Sequence, residues 1–197
     1  MTLILASGSA IRAEMLRNAG VEFSGIPAEV DETAIKTEML KQGASAGDIA
    51  LALSDEKARV VSVANPKNLV LGADQVLVCE GRLFDKPRDI SEAAEHLRLL
   101  RGKPHQLLSA ATVYENGHCI WKTVGDVHLV MRSFTDRFLE NYIEQQGTEL
   151  LSTVGAYKIE GVGAQLFSKI EGDYFSILGL PLLEFLEFLR TRDIGLS

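Results

Sequence analysis

The chain has 197 residues and a formal net charge of -7. Hydrophobic residues make up 46% and charged residues 24%, which is enough apolar material for a core and excludes a disordered chain. The acidic balance argues against a basic surface for nucleic acid, although a few clustered cations can still hold a nucleotide. We therefore expect a single folded domain over residues 1–197 that does not bind nucleic acid.

The first residues do not resemble a signal peptide, because they lack a basic flank and the apolar run is short. No stretch approaches the roughly 20 apolar residues that span a membrane. We expect a cytoplasmic protein without a membrane contact. Cys79 and Cys119, the two cysteines, have no metal-ligand spacing and are expected to be reduced and partly buried thiols.

Short strands and helices alternate in the first part of the chain. The hydrophobic pattern predicts strands over residues 3–6, 21–26 and 68–74, and helices over 10–19, 33–41 and 45–64. The first strand and helix are joined by Ser7-Gly8-Ser9. The strand over 68–74 is apolar and is expected to end on Asp74, with residues 75–79 continuing in an extended conformation.

A hairpin interrupts the alternation in the second part. Glu80-Gly81 is a turn before a short returning strand, and Ser91 is expected to cap a helix that runs to about residue 100. Asn116-Gly117 joins predicted strands over 105–114 and 118–130. A helix over 135–146, an ordered glycine-rich loop over 155–163, a strand over 165–170 and a helix over 182–192 follow. This order predicts an α/β fold with a mixed sheet.

The turn between the first strand and helix is a candidate phosphate site. Backbone N–H groups at a helix start, together with the helix dipole, favour an anion. The hydroxyls of Ser7 and Ser9 and the guanidinium of Arg12 add donors. The alternative is an ordinary capping turn with Arg12 in solvent.

Acidic and basic residues in four further segments could complete such a site. Asp74 follows a buried strand, and Asp31-Glu32 form an acidic pair after a proline turn. Their oxygens are of the kind that Mg²⁺ requires, although each carboxylate could instead be a cap or a solvated loop residue. Lys57 lies on a predicted helix and Lys86 precedes a proline, where ordinary surface charges are the alternative.

Eight segments that span nearly the whole chain form a pattern, and they are LASGSAIR (5–12), EVDE (29–32), EKA (56–58), LGADQV (71–76), DKP (85–87), GAYKIEGVG (155–163), IEGDY (170–174) and GLPL (179–182). Taken together, these segments resemble the Maf family of nucleotide pyrophosphatases, the septum-formation-inhibitor relatives of the inosine-triphosphatase-like fold. The resemblance implies an elongated mixed β-sheet flanked by helices, two lobes and a central cleft.

The resemblance also implies an activity and a set of site residues. The activity is the hydrolysis of a nucleoside triphosphate to the monophosphate and pyrophosphate with Mg²⁺ or Mn²⁺. Asp74 matches the catalytic proton acceptor. The family's phosphate- and metal-site positions match Ser7, Ser9, Arg12, Glu32, Lys57 and Lys86. Glu32 and Asp74 are the expected metal ligands, and they could exchange the roles of ligand and base.

Three positions are associated with base preference in this family. The thymidine and uridine triphosphate subgroup has Arg, Thr and Gln there, and the 7-methyl-GTP subgroup has Trp, Gln and Glu. This chain has Ile11, Gln75 and Glu160, so it is closer to the second subgroup. A Glu160 carboxylate suits the donor edge and the cationic ring of methylguanine, whereas Ile11 cannot stack on that ring as Trp does.

Two alternatives remain at this point. The first is a pyrimidine nucleotide pyrophosphatase acting on dTTP or UTP. The second is a non-catalytic nucleotide-binding regulator of septation, which the carboxylates and lysines of the candidate site disfavour. The family resemblance also allows a homodimer. The apolar stripe of the last helix, Leu182, Phe185, Leu186 and Leu189, is interpreted as core packing.

Overall fold

The computed structural model describes residues 2–194, and all structural statements below concern this range. Its strands are β1 Leu3–Leu5, β2 Phe23–Gly25, β3 Leu69–Cys79, β4 Arg82–Phe84, β5 Pro104–Glu115, β6 His118–Met131 and β7 Phe167–Glu171. Its α-helices are α1 Ala10–Asn18, α2 Glu32–Lys41, α3 Ala46–Ala64, α4 Ile90–Leu100, α5 Asp136–Gln146, α6 Tyr174–Ile177 and α7 Leu182–Arg190. Short 3₁₀ helices cover Gly147–Ser152, Val154–Ala156 and Val162–Leu166.

The strands form one mixed sheet in the order β2-β1-β3-β5-β6-β7, with β4 paired to β3. The pairs β1–β2 and β1–β3 are parallel, and the pairs β3–β4 and β6–β7 are antiparallel. The prediction of an α/β fold with a mixed sheet flanked by helices is therefore confirmed. Among the described residues, no helix combines the length and the apolar character needed to cross a bilayer.

The chain divides into two compact units, and each is described by itself. The first comprises the described parts of Met1–Gln75, Leu108–Gly125 and Asp173–Ser197, and the second comprises Val76–Leu107 and Asp126–Gly172. The expectation of a single domain over residues 1–197 stays a prediction.

In the first unit, β1 and the start of β3 are buried on both faces. Successive strand residues alternate between the faces of a sheet. Residues Leu3, Leu5, Leu69 and Leu71 pack with Met15 and Leu16 of α1 and with Leu182, Phe185 and Leu189 of α7. Residues Ile4 and Val70 pack on the other face with Ala58 and Val61 of α3. The stripe on α7 thus belongs to the core, as the sequence predicted.

The α3 helix lies very close to β3 because residue 72 has no side chain. A Cβ on Gly72 would be 2.1 Å from the carbonyl oxygen of Ser54 and 2.7 Å from the backbone nitrogen of Ala58. The α3 helix begins with a capping box, in which Ser45 and Asp48 satisfy each other's backbone N–H groups. The close approach of α3 to Gly72 places Lys57, the residue before Ala58, over the face of the sheet that α3 covers.

In the second unit, aromatic residues surround a buried histidine. His105 Nε2 lies 3.0 Å from the Tyr157 hydroxyl, and both rings contact Phe167. Burial lowers the pKa of His105 to about 4. Burial also raises the pKa of Tyr157. The glycine-rich segment over 155–163 therefore contributes Tyr157 to a core, in addition to forming the predicted loop.

Several local predictions were wrong. Asp74 lies within β3 rather than at its end, because β3 continues to Cys79. Asp89, not Ser91, caps α4, since the Asp89 carboxylate accepts a hydrogen bond of 2.8 Å from the Glu92 N–H. The short helix α6 was not predicted. Both cysteines are free, but only Cys79 is buried, whereas Cys119 is exposed.

Candidate active site

The loop before α1 has the polar groups expected of an anion site. Ser9 caps the helix, and its hydroxyl accepts from the backbone N–H of Arg12 at 3.5 Å. The hydroxyl of Ser7 accepts from the Ser9 N–H at 3.3 Å and from Arg12 Nη1 at 3.1 Å. The two serines and the arginine therefore form one connected group at the start of the helix.

The guanidinium of Arg12 is buried, so the interpretation of Arg12 as a solvated side chain is wrong. Its Nε donates to the carbonyl oxygen of Gly179 at 2.7 Å, and its Nη1 donates to that of Ala73 at 2.9 Å. Burial lowers the pKa of Arg12, and the negative charges of Asp74 and Glu32 oppose this effect. Arg12 thus joins the loop, β3 and the segment before α7, and it lies within the field of both carboxylates.

The carboxylates of Glu32 and Asp74 converge on one lysine. Lys57 Nζ lies 2.6 Å from Asp74 Oδ1 and 2.6 Å from Glu32 Oε1. The side chain of Lys57 is 12% exposed and that of Asp74 is 9% exposed, whereas that of Glu32 is 42% exposed. The cluster therefore meets solvent at Glu32, whereas Lys57 and Asp74 are largely buried.

Three different elements bring this cluster together. Asp31 caps α2 by accepting from the Ala34 N–H at 2.9 Å, which makes Glu32 the first residue of the helix. The close approach of α3 to β3 places Lys57 on the sheet face to which Asp74 points. Asp74 itself lies three residues past Leu71, where the pairing of β3 with β1 ends. No residue of β1 therefore pairs with Asp74, and this carboxylate reaches Lys57 although it is largely buried.

Gln75 lies on the opposite face of β3 from Asp74, as strand alternation requires. Its Nε2 lies within hydrogen-bond distance of three acceptors, the Ser109 hydroxyl at 3.0 Å and the carbonyl oxygens of Ser176 at 3.1 Å and Ile177 at 2.9 Å. The Ser109 hydroxyl also donates to the Ser176 carbonyl at 2.6 Å. The orientation of the Gln75 amide is therefore fixed, with the nitrogen directed at α6.

The remaining predicted residues are distributed over both units. Ile11 is half-buried in α1, next to Arg12 in the sequence. Lys86 and Glu160 belong to the second unit, where both are exposed. Glu160 lies on a tight loop, since a Cβ on Gly163 would be 2.3 Å from the Lys158 carbonyl oxygen. The structure thus brings together Ser7, Ser9, Arg12, Glu32, Lys57 and Asp74 within the first unit.

Sequence reasoning missed several residues that hold the site in place. Gly179 and Ser176 supply backbone acceptors to Arg12 and Gln75, and Ser109 binds the same amide. Gly72 admits α3 to the sheet. Gly72 and Gly179 lie within matching family segments, so their positions carried a signal. The acceptors are backbone atoms, which no side-chain pattern can indicate.

The fold and the site define an α/β protein with a polar loop at a helix start and a carboxylate–lysine–carboxylate cluster beside it. A sequence profile of the family described as "Maf-like protein" matches residues 2–192. The "Nucleoside triphosphate pyrophosphatase" of Ruegeria sp. (strain TM1040) is 49% identical over 192 residues, which are 98% of this chain and 96% of the relative.

Two further relatives bear a narrower name. The "7-methyl-GTP pyrophosphatase" of Rhizobium etli is 46% identical and that of Mesorhizobium japonicum is 47% identical. The alignments cover 98% and 96% of this chain, and 96% and 95% of the respective relatives. The chain belongs to the Maf family.

Proposed function

We propose that this Maf-family enzyme hydrolyses 7-methyl-GTP or a closely related modified nucleotide. The general activity, without the choice of nucleotide, is that of a nucleoside triphosphate pyrophosphatase, which is a hydrolase. The observation that carries the chemistry is the convergence of Glu32 and Asp74 on Lys57, beside the buried Arg12. A non-catalytic binder has no need of a carboxylate placed beside phosphate-binding cations.

The donor set fits a divalent metal that is shared with the substrate. Among the described residues, no three His, Cys, Asp or Glu side chains form a group that could hold a metal by themselves. Mg²⁺ commonly binds one or two carboxylates together with substrate phosphates, and Glu32 and Asp74 provide such a pair. When bound, the metal would neutralise phosphate charge and raise the acidity of a coordinated water.

The side chains of the first unit have distinct roles in the proposed reaction. Arg12 and Lys57 neutralise the phosphates, and the loop with Ser7 and Ser9 binds a phosphate at the start of α1. Asp74 orients the attacking water and accepts its proton. The bond between the α and β phosphates breaks, and pyrophosphate leaves. Glu32 would hold the metal, and Glu32 and Asp74 could exchange the roles of ligand and base.

The residue types at two family positions support a preference for methylguanine. Gln75 is one of them, and its amide nitrogen is directed at Ser109 and at the carbonyls of α6, on the face of β3 opposite to Asp74. Glu160 provides an exposed carboxylate on its tight loop. Guanine presents donors at N1 and N2, and a 7-methyl group makes its ring cationic, so a carboxylate such as that of Glu160 suits this base. The names of the Rhizobium and Mesorhizobium relatives agree with this preference.

The first experiment measures pyrophosphate release from 7-methyl-GTP, GTP, dTTP, UTP and CTP with Mg²⁺. We expect release from the wild type and a fall in kcat of at least ~10²-fold in Asp74→Asn, because a general base contributes about 10²–10⁴ to the rate. Asp136→Asn is the matched control, since Asp136 is an exposed carboxylate of the second unit that pairs with Arg101. Absence of release from every nucleotide with both Mg²⁺ and Mn²⁺ would instead favour a non-catalytic regulator.

The base preference is tested on the same panel. We expect kcat/KM to be highest for 7-methyl-GTP, and Glu160→Gln to reduce that value by about tenfold while changing the value for dTTP little. Glu149→Gln serves as a control at a carboxylate of the same unit that pairs with Lys158. A wild type that prefers dTTP or UTP would establish the pyrimidine alternative.

A further inference from the structure

Lys57 occupies the space between the two proposed metal ligands. Its Nζ is 2.6 Å from an oxygen of Asp74 and 2.6 Å from an oxygen of Glu32. At these distances the ammonium donates a charge-assisted hydrogen bond to each carboxylate. A Mg²⁺ ion held by the same oxygens, at about 2.0–2.1 Å from each, would compete with the ammonium for this space.

The two carboxylates of the cluster already face cations. Arg12 and Lys57 are cations, Glu32 and Asp74 are anions, and the charge of each carboxylate acts on Arg12. A divalent ion added alone would place two more positive charges close to the two cations, in a part of the protein that water screens poorly. A triphosphate carries more negative charge than one divalent ion neutralises. A metal ion that arrives together with a triphosphate therefore does not add net positive charge to the site.

We propose that the Lys57 ammonium prevents a free divalent metal ion from binding between Glu32 and Asp74. The metal ion then binds only together with the triphosphate. Lys57 then exchanges its carboxylate partners for phosphate oxygens. A compact ammonium on a flexible four-carbon stem suits such an exchange. The proposal rests on the proposed function, because it requires a triphosphate substrate at this site.

Binding of Mn²⁺ in the absence of nucleotide tests this proposal without any catalytic step. Free Mn²⁺ is counted by its solution electron paramagnetic resonance signal during titration of the full chain. We expect weak binding to the wild type and an affinity at least ~10-fold higher in Lys57→Met, a size typical of coupling between two sites. The double variant Lys57→Met with Glu32→Gln is expected to lose this gain.

Lys36→Met is the matched control. Lys36 Nζ lies 3.8 Å from Glu32 on the same helix, and its removal also deletes one positive charge near the carboxylate. We expect Lys36→Met to bind Mn²⁺ as the wild type does. Equal gains in Mn²⁺ affinity in the two single variants would show that the loss of any nearby positive charge has this effect, and they would overturn the proposal. An unchanged affinity in Lys57→Met would also overturn it.

A second measurement uses the wild type alone and applies even if Lys57→Met does not fold. An α,β-methylene analogue of GTP resists cleavage of the α–β bond and serves as the probe triphosphate. After subtraction of the Mn²⁺ that the analogue binds without protein, we expect the analogue to raise the affinity of the protein for Mn²⁺ at least ~10-fold. Wild-type protein that binds Mn²⁺ equally tightly with and without the analogue would overturn the proposal. Failure of the proposed function appears separately, as absence of pyrophosphate release.

Discussion

At the scale of single residues, Arg12 has a structural task as well as the proposed role toward phosphate. Its Nε and Nη1 donate to the carbonyl oxygens of Gly179 and Ala73, and Nη1 also contacts the Ser7 hydroxyl. A planar guanidinium reaches these acceptors in different directions, which a single ammonium cannot do. The buried charge is tolerated because Asp74 and Glu32 lie close enough to oppose the effect of burial.

We therefore expect Arg12→Lys to destabilise the protein even in the absence of substrate. A buried acceptor that loses its donor costs about 1–3 kcal/mol, so the free energy of unfolding should fall by at least ~1 kcal/mol. Urea denaturation measures this change. The control is Arg17→Lys at an exposed position of the same helix, for which we expect a change within about 0.5 kcal/mol. Equal stability of Arg12→Lys and the wild type would contradict the structural task.

At the scale of elements, the approach of α3 to β3 determines where Lys57 lies. The carbonyl oxygen of Ser54 and the nitrogen of Ala58 occupy the space that any side chain at residue 72 requires. These are backbone atoms of a 19-residue helix, so they cannot move individually. A larger residue must push the whole helix away from the sheet, and Lys57 moves with it.

We expect Gly72→Ala to lower both stability and catalysis. Overpacking of a core typically costs about 1–3 kcal/mol, and kcat should fall because the helix that carries Lys57 is displaced from the proposed phosphate site. Thermal unfolding and pyrophosphate release measure the two effects. Gly25→Ala in β2 is the control, because a Cβ there meets no atom within 4 Å. A Gly72→Ala variant with wild-type stability and rate would show that α3 can move without consequence.

The period of the hydrophobic pattern predicted most elements within a few residues, because burial on one or two faces determines that period. The pattern did not predict features that depend on contacts with other strands and helices. Nothing in the segment 69–79 shows that β1 stops pairing at Leu71 while β3 continues. The four-residue helix α6 is likewise too short to show a period.

At the scale of the whole molecule, the two described units differ in their buried histidines. His96 and His105 are both buried, and both belong to the second unit. Burial lowers the pKa of His96, and it lowers that of His105 to about 4. The folded state therefore holds these rings neutral at pH values at which the unfolded chain binds protons.

The second unit should consequently lose stability in acid. A histidine with a lowered folded pKa stabilises the protein fully above its unfolded pKa of about 6.5, and that contribution is lost as the pH falls toward the folded pKa. For His105 this window extends from about 6.5 down to about 4. Urea denaturation at a series of pH values should show the free energy of unfolding decreasing by about 1 kcal/mol or more across it.

The variant His105→Phe isolates this effect. It removes the group that must be protonated, so the pH dependence of stability should become shallower although the Tyr157 hydroxyl loses its partner. The control is the exposed His118 replaced by Gln, which removes an imidazole outside this buried group. An equally steep loss of stability in His105→Phe and the wild type would assign the acid sensitivity to other groups.

The sequence by itself determined the family, the α/β class and the identity of the charged residues. Local periodicity and motif spacing depend on the order of residues along the chain, so they can be read from the sequence. Only the tertiary structure decided that Lys57 lies between Glu32 and Asp74, and that Arg12 is buried against backbone carbonyls. These contacts join α2, α3, β3 and the segment before α7, and they depend on how closely backbones pack, which no side-chain pattern records.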